Sequence, residues 1–195
     1  MGTLRNLIAD SEHRALLDWW FAARDRRPMP SRADFDPIEH PRFLPRLFLV
    51  EVSADPPHFI NRLCGTEIDD QQGYSMTGKP FEETFAGDLL RFTTDRFVDV
   101  AFNGRISYYS TIFSREEDDQ RTRFTRLLLP FSDDGTRVDM VLGSRLQSGD
   151  VSRDYRTLLD DPAARHRHEV AIVAVADIDR ADATILAAGS SSRVR

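Results

Sequence analysis

Three consecutive leucines, Leu127, Leu128 and Leu129, lie within a segment that we predict to be a strand, residues 121–131. Successive side chains of a strand point to opposite faces, so this run places apolar groups on both faces of the sheet. Antiparallel sheets commonly leave one face in water. Here both faces need cover, and the N-terminal helix that carries two tryptophans is the candidate cover, from the same chain or from a partner.

The order of predicted elements is one helix, two strands, short helices, one long helix and three strands. This order indicates an α+β fold with an antiparallel sheet; the alternating βαβ pattern of doubly wound enzymes is missing. Pro56 and Pro57 form the turn of a hairpin between the first two strands. The predicted strands lie near residues 47–53, 58–65, 105–114, 121–131 and 137–146, and the long helix near 88–102.

The N-terminal helix has a stripe too aromatic to be left in water, and we expect it to form a homodimer interface, because large rings are enriched at interface centres. The alternative is that both tryptophans cap the core of a monomer. The residues of the stripe are Leu16, Trp19, Trp20 and Ala23.

The last fifty residues differ in pattern from the rest. Residues 155–159 are expected to form a short helix, and the apolar run 170–178 alternates like a strand and docks onto the domain or a partner. Residues 187–195 are expected to fray. We therefore divide the chain into an N-terminal helix with a proline-rich crossing segment (1–45), a core (46–146) and a partly flexible C-terminal extension (147–195).

Composition excludes several classes of protein. The 32 acidic and 26 basic residues give a net charge of −6, which disfavours nucleic-acid binding. No apolar run approaches the ~20 residues that span a bilayer, so no membrane partner is expected. The first ten residues lack a signal-peptide core, and the one cysteine, Cys64, fits a reducing compartment. We expect a cytoplasmic protein.

Four local motifs have structural interpretations. Residues 73–79 match the start of a phosphate-binding loop, but Pro80 replaces the hydroxyl residue, so a turn between short helices is expected. His166 and His168 share one strand face but lack a third metal ligand. The acidic run 116–119 is a solvated hairpin loop, and Cys64 is a buried structural cysteine. No metal site and no catalytic residue are assigned.

Arg126 alternates with Phe124 and Leu128, so the three share one strand face. If that face is the core face, a cation lies beside an apolar cavity and needs a carboxylate or a ligand as its partner. If Leu127 and Leu129 face the core instead, Arg126 is exposed. The sequence leaves both arrangements open.

Several segments resemble the PAS_5 family, a bacterial and largely alphaproteobacterial group of PAS-like proteins. The resemblance runs from about residue 16 to residue 146. The segments that carry it are LDWW (17–20), MPSRADFDP (29–37), LPRLFL (44–49), RLCGT (62–66), TGK (77–79), RLLLPFS (126–132), Gly135 and RVDM (137–140).

The resemblance implies a PAS-like five-stranded antiparallel sheet with helices on one face and the N-terminal helix outside the core. It also implies a ligand or cofactor between sheet and helices, or pairing through the outer helix. No cofactor is assigned. Cys64 stands in Leu-Cys-Gly rather than the Asn-Cys-Arg of flavin photosensors, which disfavours a flavin adduct, and the helix near 88–102 has no histidine, which disfavours haem.

We expect the cavity between the sheet and the helix near 88–102. A one-residue slip of a strand exchanges its two faces, so the predicted lining depends on which face each strand turns to the helix. The candidate ligand-binding residues are Leu63, Phe97, Ala101, Ile106, Tyr108, Phe124, Arg126, Leu128, Met140 and Leu142.

Three functions remain. The first is a non-enzymatic sensory or regulatory PAS-type protein of bacterial signalling, which acts through a small-molecule ligand, through a signalling-protein partner, or through both. The alternative is a small α+β enzyme, an isomerase or hydrolase with a pocket under a curved sheet. The third is an interaction module without a ligand. An enzyme needs a pair of titratable residues with opposed pKa shifts in its cavity. A sensor needs an apolar cavity with few polar groups, whereas an interaction module has a filled core without a cavity.

Overall fold

The leucine run lies in the central strand of an antiparallel sheet. The computed structural model describes residues 4–54, 57–115, 121–149, 155–161, 164–175 and 190–193. The sheet has seven strands in the order β2-β1-β5-β4-β3-β6-β7, so the strand with the leucines, β4, is the middle one. The strands are β1 Leu47–Ala54, β2 Pro57–Cys64, β3 Arg105–Arg115, β4 Arg121–Phe131, β5 Met140–Gly149, β6 Ala164–Ala174 and β7 Ser190–Arg193.

The helices are short apart from two. The N-terminal part contains α1 Leu4–Leu7 and α2 Ser11–Arg24, and two 3-10 turns follow at Arg32–Asp34 and Leu44–Arg46. The remaining helices are α3 Thr66–Gln72, α4 Phe81–Thr84, α5 Gly87–Ala101 and α6 Tyr155–Leu159. The predicted long helix and the predicted helix at 155–159 are therefore confirmed. No helix in the described part of the chain is long and apolar enough to cross a membrane.

The five predicted strands are confirmed, including the antiparallel hairpin of β1 and β2. The fifth strand begins at Met140 rather than 137, because residues 133–139 form a turn around one carboxylate. Asp134 accepts hydrogen bonds from the backbone N–H groups of Thr136 (2.7 Å) and Arg137 (2.8 Å). The strand then continues to Gly149, where it pairs with the start of β4.

The expected total of five strands is wrong, since β6 and β7 extend the sheet beyond β3. β6 pairs with β3 along its whole length, from Arg105 opposite Ala174 to Arg115 opposite Ala164. The described part of the apolar run 170–178 thus docks within the same chain, and residues 176–178 lie outside the described residues. Fraying is also wrong for Ser190–Arg193, which pair with β6; the rest of 187–195, like the acidic run 116–119, is not among the described residues.

Both faces of the central strand are covered, as the leucine run predicts. Every residue of β4 from Phe124 to Phe131 is buried. On one face, α2 packs through Trp19 against Phe131, with ring centres 6.1 Å apart. On the other face, α5 packs against β3, β4 and β5.

The N-terminal helix belongs to the core rather than lying outside it. Trp20 is 0% exposed and its indole N–H donates a hydrogen bond to the carbonyl of Pro130 (2.9 Å). Leu16, one turn earlier, is also fully buried. A helix outside the core would leave these apolar side chains in water. Here they are buried against the second face of the sheet.

We expect Trp20→Ala to lower the free energy of unfolding by about 3–5 kcal/mol, because it removes a fully buried ring and leaves the carbonyl of Pro130 without its donor. Ile38→Ala is the control, since Ile38 is 86% exposed and surface changes usually shift stability by about 0.5 kcal/mol or less. Denaturant unfolding of the three proteins measures both effects. Equal midpoints for wild type and Trp20→Ala would contradict the packing described here.

Candidate functional site

A cavity lies between the sheet and helices α3 to α6. Its volume is about 40 Å³. Most of its wall is aromatic or aliphatic. The lining residues are Phe48, Asn61, Ile68, Met76, Phe81, Phe85, Leu89, Phe92, Thr93, Phe97, Tyr109, Thr111, Arg126, Arg145 and Tyr155.

Helix α5 supplies the roof of the cavity through one stripe. Leu89, Phe92, Thr93 and Phe97 follow at steps of three, one and four, which places them on one helical face. Phe97 also holds the neighbouring helix in place, because its ring packs edge-on against that of Phe81 at 4.8 Å. The aromatic contact fixes α4 against α5 and closes the apolar side of the cavity.

Two arginines form the polar floor of the cavity. Arg126 of β4 and Arg145 of β5 stand directly opposite each other in the register of the sheet, and they are 7% and 5% exposed. Both guanidinium groups lie over the ring of Tyr155, at 4.8 Å and 5.1 Å from its centre. Paired residues of adjacent strands share a face, so the two cations enter the cavity side by side.

The hydrogen bonds of the two arginines use neutral acceptors. Arg126 Nη1 donates to the hydroxyl of Thr111 (3.2 Å), and Arg145 Nη2 donates to the backbone carbonyl of Ile68 (2.9 Å). Within the described ranges, neither arginine has a carboxylate within 4.0 Å, and the buried Nε of Arg145 has no acceptor. Burial, followed by the charge of Arg126, lowers the pKa of Arg145 to about 9.

A buried histidine continues the polar floor towards β6. His168 lies opposite Thr111, and its Nδ1 is 3.1 Å from the threonine hydroxyl. Its ring stacks on Phe92 of α5 at 3.8 Å. Burial lowers the pKa of His168 to about 3, and the nearby charges of His166, Arg126 and Arg96 add to this effect. His168 is therefore neutral at physiological pH.

The described lining residues contain no acid–base pair. There is no aspartate, glutamate, histidine or cysteine among them, and burial raises the pKa of Tyr109. Cys64 lies elsewhere, half-buried, and burial raises the pKa of its thiol to about 12, which leaves it protonated and unreactive. The arrangement is suited to binding an anion rather than to moving a proton.

Of the ten candidate ligand-binding residues, Phe97 and Arg126 line the cavity. On β4 the predicted residues face the helix layer, because Phe124 and Leu128 are fully buried on the same face as Arg126. Phe124 packs with Tyr155 beside the cavity, and Leu128 and Ala101 lie in the main core. The alternative in which Arg126 is exposed is thereby excluded.

The parity predicted for β3 is reversed. Tyr108 faces the N-terminal helices, where its hydroxyl donates to Asp10 (3.2 Å), and Ile106 shares that face. Tyr109 and Thr111 line the cavity instead. The reason is that both faces of β3 are covered, so apolar residues occur at odd and even positions and do not indicate which face is which.

The placements predicted for β5 and β2 also differ. Met140 and Leu142 lie on the face that α2 covers, and Arg145 of β5 lines the cavity. Leu63 is 44% exposed, because the register of β1 and β2 shifts by one residue and Arg62 is the extra residue of a bulge. The bulge moves Leu63 to the face opposite that of the preceding cavity residue, Asn61.

Sequence reasoning missed Arg145 and Tyr155. Arg145 could have been predicted from the sequence, because it lies in a predicted strand and alternates there with Gly143, as Arg126 alternates with its neighbours in the preceding strand. Tyr155 could not, because it lies in α6, beyond the predicted core. The short helices α3 and α4 were predicted, but their residues were not predicted to line the cavity.

The four interface candidates stand in different surroundings. Leu16 and Trp20 are buried within the single chain. Trp19 and Ala23 are partly buried, and the ring of Trp19 meets those of Phe35 (5.0 Å) and His40 (5.6 Å) from the same chain. The stripe is therefore mainly a core contact, and only its edge is accessible to a second copy.

The motif at residues 73–79 is the predicted turn between α3 and α4. Gly73 ends α3 with a φ of 79° and Gly78 has a φ of 83°, conformations that favour glycine. His166 and His168 do lie close together, with ring centres 5.0 Å apart. Over the described ranges, no three histidine, cysteine or acidic residues form a cluster able to hold a metal ion.

Comparison with known proteins identifies one family. The sequence model of PAS_5, described as a PAS domain, matches residues 8–146. No curated protein matches the chain. The match includes both cavity arginines and ends before α6 and β6.

We expect the free energy of unfolding to fall as the pH is lowered from about 6.5 towards 3. The unfolded chain protonates His168 near 6.5, whereas the folded protein holds its pKa at about 3, so the unfolded state binds more protons in this window. Urea unfolding as a function of pH measures the slope, and His168→Gln makes it shallower. Equal slopes for His168→Gln and wild type would contradict the effect.

Proposed function

The chain belongs to the PAS_5 family of PAS domains, and we propose that it is a sensory or regulatory protein without catalytic activity. In this proposal a small molecule binds between the sheet and α5, and the bound state changes how the protein meets a signalling partner. PAS domains in general have a sensory role, which supports the first part. The sole thiol and the acidic net charge support a cytoplasmic location with no nucleic-acid partner.

The observation that carries the proposal is the cavity with its two arginines. Its wall is mostly apolar, with a few polar groups gathered on the floor, which is the usual composition of a small-molecule site. A filled core, as an interaction module without a ligand needs, has no such space. The cavity is lined by α5 and by strands β1 to β5, so ligand binding in this proposal is coupled to the packing of the helix on the sheet.

The chemistry of the wall argues against the enzyme alternative. General acid–base catalysis needs two titratable groups with suitable pKa values near the substrate. The titratable lining residues are two tyrosines and two arginines. Burial raises the pKa of Tyr109, and arginine is a weak acid even when its pKa falls to about 9, so neither type is a ready base at neutral pH.

Ligand binding is tested by native mass spectrometry of the freshly purified full chain. We expect a mass above that of the polypeptide, which returns to the polypeptide mass on denaturation. Thr93→Leu, which adds bulk to the cavity wall, should lose this excess, whereas Thr94→Leu, at the next residue and not part of the lining, should keep it. The polypeptide mass alone for wild type, or equal excess in both variants, would contradict a ligand in this cavity.

We also propose that the protein forms a homodimer. The accessible edge of the α2 stripe at Trp19 and Ala23 supports it, since partly exposed tryptophan is typical of interface centres. We expect a dimer in sedimentation velocity at tens of micromolar. Ala23→Glu should shift the population towards monomer, because it buries a charge in the interface, while Ala22→Glu, on the exposed side of α2, should not. A wild-type monomer under these conditions would refute the dimer.

A further inference from the structure

Resting on the ligand binding proposed above, we propose that the ligand is a small carboxylate with a short apolar body. Its carboxylate lies between Arg126 and Arg145, and its body lies against the aromatic residues of α4 and α5.

The charge of the floor is not neutralised by the described residues. Two guanidinium groups, both more than nine-tenths buried, stand side by side. Buried charges are normally paired with an opposite charge, and each described carboxylate in an ion pair is paired with a cation other than these two. The ring of Tyr155 offsets part of the charge through its face but accepts no hydrogen bond there. A bound anion supplies the missing charge.

The donors match a planar, bidentate acceptor. Each guanidinium has five N–H donors in a fixed plane, and each makes one hydrogen bond to the described residues. Directly paired residues on adjacent strands have Cβ atoms about 4.5–5.5 Å apart. Two carboxylate oxygens with about four acceptor sites therefore suit both forks. The Nε of Arg145, which is buried without an acceptor, is one of the donors left to be satisfied.

The rest of the wall selects against a fully hydrated inorganic anion. Beyond the two arginines, the cavity offers mainly phenylalanine, leucine, isoleucine and methionine side chains. An apolar body gains free energy from such a wall, whereas phosphate or sulfate brings two further oxygens into a wall that is mostly apolar. The cavity is small, which favours a carboxylate with a short apolar body, such as propionate or butyrate.

The same geometry predicts a trade-off between binding and stability. Without a ligand the two like charges repel and lack an anion, so replacing one of them by an apolar residue of similar length should raise the melting temperature of the ligand-free protein. The replacement should at the same time abolish carboxylate binding. A purely structural arginine would show the opposite, because its loss would lower the melting temperature.

The test titrates the ligand-free full chain with propionate and butyrate, with the neutral propionamide, and with inorganic phosphate, by calorimetry and by melting temperature. Arg126→Met and Arg145→Met are the test variants. Arg123→Met is the matched control: Arg123 lies on the same strand, faces the other side of the sheet and pairs with Glu169 (2.7 Å). The comparison of carboxylate with amide uses wild-type protein alone, so it stands even where a variant fails to fold.

We expect the carboxylates to bind and to raise the melting temperature, with propionamide weaker by about tenfold or more because it cannot form charged hydrogen bonds. Arg126→Met and Arg145→Met should lose carboxylate binding, and Arg123→Met should keep it. Equal binding of propionamide would overturn the anion inference while leaving a ligand-binding cavity. Equal or tighter binding of phosphate would overturn the assignment of the ligand to the carboxylates, and equal loss of binding in Arg123→Met would overturn the assignment of the site to Arg126 and Arg145. If none of the probes binds, the inference of a carboxylate ligand is overturned. Native mass spectrometry then decides separately whether the cavity binds any ligand.

Discussion

The burial of the central strand on both faces is the constraint on which the rest of this structure depends. From Phe124 to Phe131 no side chain of β4 is exposed, so each face of the sheet must carry its own layer of helices. The N-terminal helices cover one face, where Trp20 supplies both a large apolar ring and a hydrogen bond to the strand backbone. The cavity lies on the other face, beneath α5.

The second layer is less complete, because α3, α4 and α6 are short and α5 packs against β3, β4 and β5 of the seven described strands. The space that remains contains the two side chains least suited to an apolar core, Arg126 and Arg145. A sequence selected for stability alone would replace one of them, since a buried ion without a counter-ion is costly. The presence of both side by side is the observation behind the anion that we propose. Folding and ligand binding then compete for the same two residues.

Element order and strand positions were predictable from sequence, because turns, the helical period of α5 and the β-branched strands are local signals. Strand parity was predictable only where a polar residue interrupts the pattern: Arg126 on β4 has the predicted face, whereas Tyr108 on β3 does not, since both faces of that strand are apolar. Leu63 was misplaced by a bulge that leaves no mark in the sequence pattern. Tyr155 reaches the cavity through a tertiary contact that no local signal encodes.

The most direct test of the central claim is a two-dimensional ¹⁵N–¹H spectrum of the arginine Nε–Hε groups during titration with propionate. Assignment through Arg126→Lys and Arg145→Lys identifies the two cavity signals. The account predicts that these two signals shift together and saturate with propionate, while those of surface arginines such as Arg123 stay in place. Propionamide should shift the two signals only at concentrations about tenfold or more higher. Shifts confined to surface arginines, or the same shifts with propionamide at equal concentrations, would contradict the claim that this cavity binds an anion between its two arginines.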